Sequence, residues 1–174
     1  MPVGTTEKPS MKLYKSEEGL EKIMSWYEKV KSEINVEHES IFASTRFGKT
    51  HAIVAGEGHS KSLILIPGVA GCAPLWRHQI NELSKYFTVY ALDIVGQPGK
   101  SDPNPPSVFN DDFVNWLEDV ITGLKLTKPH CVGVSTGGTT AMDMAIQKSD
   151  LIDKVVMCGP VSYTHLTLPT ILLV

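Results

Sequence analysis

The apolar and polar positions of this chain change pattern near residue 62. Upstream, positions 16–34 carry apolar side chains at helical spacing: Leu20, Ile23, Met24, Tyr27 and Val30 share one face, and Ser16 stands where an N-cap belongs. Residues 1–15 lack such a pattern and are expected to be disordered or loosely attached. Two strand-like segments follow, at about 36–46 and 50–55, joined around Phe47-Gly48-Lys49; the alternation over Thr50-His51-Ala52-Ile53-Val54 predicts a hairpin.

From residue 62 onward strand and helix patterns alternate. Ser62-Leu63-Ile64-Leu65-Ile66 is a continuous apolar run, as in a strand covered on both faces, and Pro67-Gly68 ends it. A helix is expected at about 74–86 with Leu75, Trp76, Ile80 and Leu83 inward, then a strand at 88–93 and a Pro/Gly loop at 95–107. The clearest helix spans about 108–125, where Phe113, Trp116, Leu117, Val120, Ile121 and Leu124 repeat at i, i+3, i+4, i+7, i+8 and i+11. A strand at 130–134, a helix at 136–148 and a strand at 154–158 complete the series. Such alternation implies right-handed βαβ crossovers, hence an α/β fold with a mostly parallel, doubly wound sheet. Ligands of such sheets bind outside the C-terminal strand ends, where Pro67–Ala73, Val95–Ser107 and Ser135 fall.

Composition narrows the classes. The 174 residues are 42% hydrophobic and 20% charged, with net charge -3 and pI near 6.1. That suits a soluble globular domain and gives no basic excess for nucleic acid or an anionic membrane. No apolar run approaches the roughly 18 residues needed to cross a bilayer. The polar N-terminal stretch, with Lys8 and Lys12, lacks the apolar core of a secretory signal. Cys72, Cys131 and Cys158 form no CxxC pair, so no metal is expected. Cys131 and Cys158 lie in apolar runs, where a reduced thiol acts as a small hydrophobe. The odd cysteine count points to a reducing, cytoplasmic setting.

Gly133-Val134-Ser135-Thr136-Gly137 matches G-x-S-x-G. The strand 130–134 runs directly into Ser135 and the helix starts directly after it, the order that a nucleophile elbow requires. A serine on so tight a turn needs small residues two positions either side, and the helix N-terminus aims free N–H groups at developing negative charge. The bland alternative is a serine N-cap on an ordinary βα turn, with glycines for packing. On these five residues alone the two are about equal.

The order of motifs adds weight. Leu63–Gly68, then Asp93-Ile94-Val95-Gly96-Gln97-Pro98-Gly99-Lys100-Ser101, then Gly133–Gly137 resembles the α/β-hydrolase superfamily over about residues 36–160. The middle motif is similar to the family's D-x-x-G-x-G-x-S loop with one residue inserted. Ser44-Thr45-Arg46-Phe47-Gly48-Lys49-Thr50-His51 resembles a bacterial carboxylesterase-like subgroup. The resemblance implies a serine esterase that cleaves small carboxylic esters through an acyl-enzyme on Ser135, without metal or organic cofactor. It implies an oxyanion hole from the backbone N–H groups of Val69 and Thr136, although Pro67 stands where the family's loop carries histidine. Other acyl transfers, perhydrolysis and carbon–carbon hydrolysis share the same elbow.

In the family's chain order an acid and then a histidine follow the serine. Neither is identified in this chain, so the fold is expected to be truncated after about its sixth strand. His38, His51 and His78 precede the serine, and His130 is expected at the opposite sheet edge; none is expected to serve as base. Asp143, Asp150 and Asp153 are expected at the surface, and Asp93 is expected to shape its loop. The tail Val161-Ser162-Tyr163-Thr164-His165-Leu166-Thr167-Leu168-Pro169-Thr170 resembles a translated sequencing adapter. Residues 16–160 are therefore expected to form a partial domain and 161–174 a non-native tail, with His165 a decoy and the chain nearly inactive as it stands.

Two rival readings differ in class. Gly48-Lys49-Thr50 and Gly99-Lys100-Ser101 imitate the end of a P-loop, but Ala43 and Ile94 stand where its first glycine belongs. A non-catalytic ligand-binding or interaction protein on the same fold is the other, since fold does not dictate function.

Overall fold

The computed structural model describes residues 13–160; the expectations for residues 1–12 and for the tail 161–174 lie outside the described residues. Helix α1 (Glu17–Lys31) starts where Ser16, in extended conformation, accepts a hydrogen bond on its hydroxyl from Gly19 N at 3.1 Å. Only Tyr27 and Val30 of its apolar face are buried.

Strands β1 (His38–Thr45) and β2 (Gly48–Ala55) form the expected hairpin, with Thr45 opposite Gly48 and Arg46-Phe47 as the connection. Gly48 takes φ 110°, where a side chain would also strike Asp102. The expected in–out alternation does not hold in β2: Thr50 through Ala55 are all buried. The strand lies inside the sheet, paired with β1 on one side and β4 (Thr88–Leu92) on the other. Its polar members therefore need partners, and Trp116 Nε1 donates to Thr50 Oγ1 at 2.8 Å.

The six-stranded sheet runs β1-β2-β4-β3-β5-β6, with β3 (Ser62–Ile66), β5 (His130–Val134) and β6 (Val155–Cys158). Pairs β3–β4, β3–β5 and β5–β6 are parallel, while β1–β2 and β2–β4 are antiparallel. The mostly parallel α/β sheet expected from the sequence is what the chain builds. The continuous apolar run of β3 is explained by burial on both faces. Ile64 and Ile66 join the core under α3 (Asp112–Gly123) and α4 (Thr136–Gln147) with Trp116, Leu117, Ile121 and Met144. Leu63 and Leu65 face the other way, toward Trp76, Ile80 and Val89.

Three expectations are corrected. The helix foreseen at 74–86 is a 3-10 turn (Ala73–Trp76) followed by the short α2 (Arg77–Leu83); the tighter winding turns Leu75 outward, 43% exposed. The helix foreseen at 108–125 begins only at Asp112, because Asn110 Oδ1 accepts from Asp112 N and ties the preceding residues into a turn. Cys131 is buried as foreseen, but Cys158 is exposed: β6 lies at one edge of the sheet among the described residues.

Candidate active site

Strand β5 delivers Ser135 to the C-terminal edge of the sheet, and α4 leaves immediately behind it. Ser135 has φ 54° and ψ -120°, a conformation that costs an L-residue on the order of 1–3 kcal/mol and persists only where its surroundings hold it. Two backbone bonds do so: Ser135 N donates to Cys158 O at 3.0 Å, and Thr139 N donates to Ser135 O at 3.1 Å. The glycines explain themselves on contact. A Cβ on Gly133 would enter the Gly137–Gly138 backbone, and one on Gly137 would enter the carbonyls of Ile66 and Pro67.

The same molecule contains an ordinary serine cap for comparison. Ser16 is extended (φ -159°) and spends its hydroxyl on Gly19 N; Ser135 occupies the N-cap position of α4 with no side-chain capping bond. The packing-only reading of G-x-S-x-G predicts the first geometry, and the chain shows the second.

The loop after β3 lies against this turn. A Cβ on Gly68 would sit 3.0 Å from Ser135 Cβ. Gly71 N donates to Gly68 O at 3.0 Å, which closes a tight turn with Ala70 at φ 59°. Val69, at its tip, is 69% exposed. Thr136 opens α4, so its N–H belongs to the helical turn whose donors lack intrahelical partners. The fold thus brings Ser135, Val69 and Thr136, the three residues singled out from the sequence, to one patch.

Beneath the patch lies a buried polar node that sequence reasoning did not assemble. The Asp93 carboxylate, fully buried, accepts from Tyr27 Oη, His51 Nδ1 and Lys100 N at 2.9 Å each on Oδ2, and from Ala73 N at 2.6 Å on Oδ1. Burial alone would raise its pKa; the His51 hydrogen bond and charge, with the Ala73 and Lys100 N–H groups, outweigh that and hold the carboxyl below its ordinary range. Burial, with Asp93 second, pushes the Tyr27 hydroxyl well above its ordinary value, so it stays a donor. Burial likewise pushes the neighbouring Cys72 thiol up to about 12, which leaves it inert as a nucleophile. Asp93 shapes its loop as expected, and it also reaches α1 and the loop after β3. His51 is packed, not solvated, with Phe42 edge-on at 5.2 Å. The available signal was a histidine inside an apolar strand, which must find a partner when buried.

The other candidates lie elsewhere. His38 contacts Val36 O, and His78 is exposed on α2. His130, at the start of β5 and so at the opposite end of the strand from Ser135, lies 3.3 Å from Asp153. Asp150 and Asp153 are exposed as expected; Asp143 is only half-exposed, and burial and then Asp111 raise its pKa. His165 lies outside the described residues. Among the described residues no hydrogen bond joins Ser135 Oγ to a histidine, and no cluster of three His, Cys, Asp or Glu residues is placed to hold a metal. No helix among them is long and apolar enough to cross a membrane. The P-loop imitations dissolve: Gly48-Lys49-Thr50 lies in β2, and Lys100 and Ser101 are tied to Asp93 with no helix following until Asp112.

Comparison with known proteins gives concordant matches. Carboxylesterase YbfK of Bacillus subtilis is 34% identical over 125 residues, 72% of this chain and 42% of that protein. The uncharacterized carboxylesterase nap of the same organism is 33% identical over 122 residues, 70% of this chain and 41% of its own length. The chain therefore spans less than half the length of these curated relatives. Among solved structures, B. subtilis naproxen esterase superposes with TM-score 0.77 at 28% identity, covering 88% of this chain and 56% of that one. The crystal structure of YbfK gives TM-score 0.74 at 32% identity, with 78% and 48% covered. Residues 61–172 match the family described as the alpha/beta hydrolase fold. With its strand order, its strained serine turn and that match over more than half its length, the chain belongs to the α/β-hydrolase family.

Proposed function

We propose that the protein of which this chain forms part is a serine hydrolase of small carboxylic esters, with Ser135 as nucleophile. The observation that carries the reading is the backbone of Ser135: φ 54° at a strand–helix junction, with its side chain not used as a cap. Strain kept at a polar residue that is only part-buried and whose side chain caps nothing argues for a chemical use of that residue. The carboxylesterase names of the two relatives support the substrate class.

In this mechanism Ser135 Oγ attacks the ester carbonyl carbon while a histidine outside the described residues takes the hydroxyl proton. The carbonyl oxygen gains the negative charge and accepts from the N–H groups of Val69 and Thr136. Collapse of the tetrahedral intermediate expels the alcohol, which leaves with the proton from the histidine. Water then attacks the acyl-enzyme by the same route and returns free Ser135 and a carboxylic acid.

The test is turnover of p-nitrophenyl acetate and butyrate by the protein from the complete gene and by its Ser135→Ala variant. The expected loss is on the order of 10⁴-fold or more in kcat, since removing one triad member disables the unit. Residues 1–174 alone are expected to be nearly inactive. Undiminished turnover in Ser135→Ala would refute the nucleophile assignment. Substrate binding without turnover would favour a non-catalytic role on the same fold.

A further inference from the structure

Ala70 holds a left-handed backbone, φ 59°, in the turn that packs on Ser135. An L-residue there crowds its own Cβ against the following carbonyl, so the conformation lasts only where it is held. One restraint is internal, the 3.0 Å bond from Gly71 N to Gly68 O. The other comes from a different loop: Ala70 N donates to Gln97 Oε1 at 2.6 Å. Gln97 is in turn fixed within the loop after β4. Its N–H donates to Ile94 O at 3.2 Å, and Gly96 N donates to Asp102 O at 2.8 Å. Asp93, at the base of the same loop, accepts from Ala73 N at 2.6 Å. The loop after β4 therefore grips the loop after β3 twice, at Ala70 through a side-chain amide and at Ala73 through a buried carboxylate.

We infer that Gln97 is a positioning residue for the Val69 N–H: by fixing the Val69–Ala70 peptide unit through Ala70 N, it holds the neighbouring donor on the oxygen that becomes negative when Ser135 attacks. This rests on the serine-hydrolase reading above. Gln97 acts through Ala70, not on the reacting atoms. Removing one oxyanion donor outright costs about 10²–10³-fold in kcat, so a donor left in place but loosened should cost roughly 10–100-fold. Ground-state substrate binding is not engaged, so KM should stay within about twofold.

The experiment compares Gln97→Met and Gln97→Glu in the protein from the complete gene, with p-nitrophenyl butyrate as substrate and Ser135→Ala alongside. Methionine keeps the length and removes the acceptor; glutamate keeps an acceptor oxygen at the same reach. The expected result is a roughly 10–100-fold fall in kcat for Gln97→Met at nearly constant KM, with part of the loss recovered in Gln97→Glu. Amide exchange gives a second readout that does not need turnover: Ala70 N–H should exchange faster in Gln97→Met than in Gln97→Glu or the parent. Unchanged kcat, a loss confined to KM, or equal Ala70 exchange in all three proteins would overturn the positioning role while the Ser135→Ala result leaves the hydrolase reading standing. No turnover in the parent, or full turnover in Ser135→Ala, would overturn both.

Discussion

Replacing Gly137 with alanine tests whether backbone contact alone holds the turn that carries Ser135. The new Cβ would lie 2.5 Å from Pro67 O and closer still to Ile66 O, backbone oxygens of the last residue of central strand β3 and of the residue that follows it. No flexible side chain can move aside, so the clash must displace α4 from β3. Overpacking of this kind costs typically about 1–3 kcal/mol, and contact with two backbone oxygens puts it at the upper end. Alanine regains about 1 kcal/mol over glycine in a helix, which leaves a net loss of roughly 2 kcal/mol or more. Gly138 provides the control. A Cβ there meets one tight neighbour, Gly133 O at 3.0 Å, and the next atoms stand at 3.5 Å. Its strain and its gain in helix propensity should roughly cancel. At about 2–4 °C per kcal/mol for a chain of this size, Gly137→Ala should lower Tm by roughly 4–8 °C and Gly138→Ala by no more than about 2 °C. Thermal and urea unfolding followed by far-UV circular dichroism would show the difference. Equal stabilities for the two variants, within about 0.5 kcal/mol, would refute the close-approach reasoning.

The buried node should be sensitive to loss of its centre: Asp93→Ala strands four donors and is expected to cost about 3–5 kcal/mol in urea denaturation, whereas Tyr27→Phe, which removes one bond to the carboxylate, should cost about 1.5–3 kcal/mol. Thr50→Val leaves the Trp116 N–H buried without its acceptor and should cost about 1–3 kcal/mol, readable by tryptophan fluorescence during unfolding. Acid should destabilise the fold. Asp93 and Asp119, the latter held low by its bidentate pairing with Arg46, bind protons less readily folded than unfolded. Their stabilisation is complete above the ordinary carboxylate pKa of about 4 and fades as pH falls through the lowered folded values, so Tm should drop between about pH 5 and pH 3. Asp119→Asn should make that drop shallower, and an unchanged profile would remove the Arg46 pair from the account.

What this sequence determined by itself was local. The apolar run of β3, the helical spacing in α3 and the strand–serine–helix order around Ser135 each lie within a dozen or so residues. Periodicity and turn chemistry act at that range, so these features are legible in the chain alone. The parallel α/β sheet followed from their alternation. Tertiary structure decided the rest. His51 and Asp93 stand 42 positions apart, Ala70 and Gln97 27 apart, and Tyr27 and Asp93 66 apart. Nothing in their neighbours announces those pairings, because the order in which the strands lie side by side creates them. That order places β2 inside the sheet and so erases the alternation expected of it. The 3-10 winding at Ala73–Trp76 that turns Leu75 outward was equally invisible to helical spacing. The sequence names the serine; the packing of β3, β6 and α4 around it forces the strained backbone that distinguishes a candidate nucleophile from a helix cap.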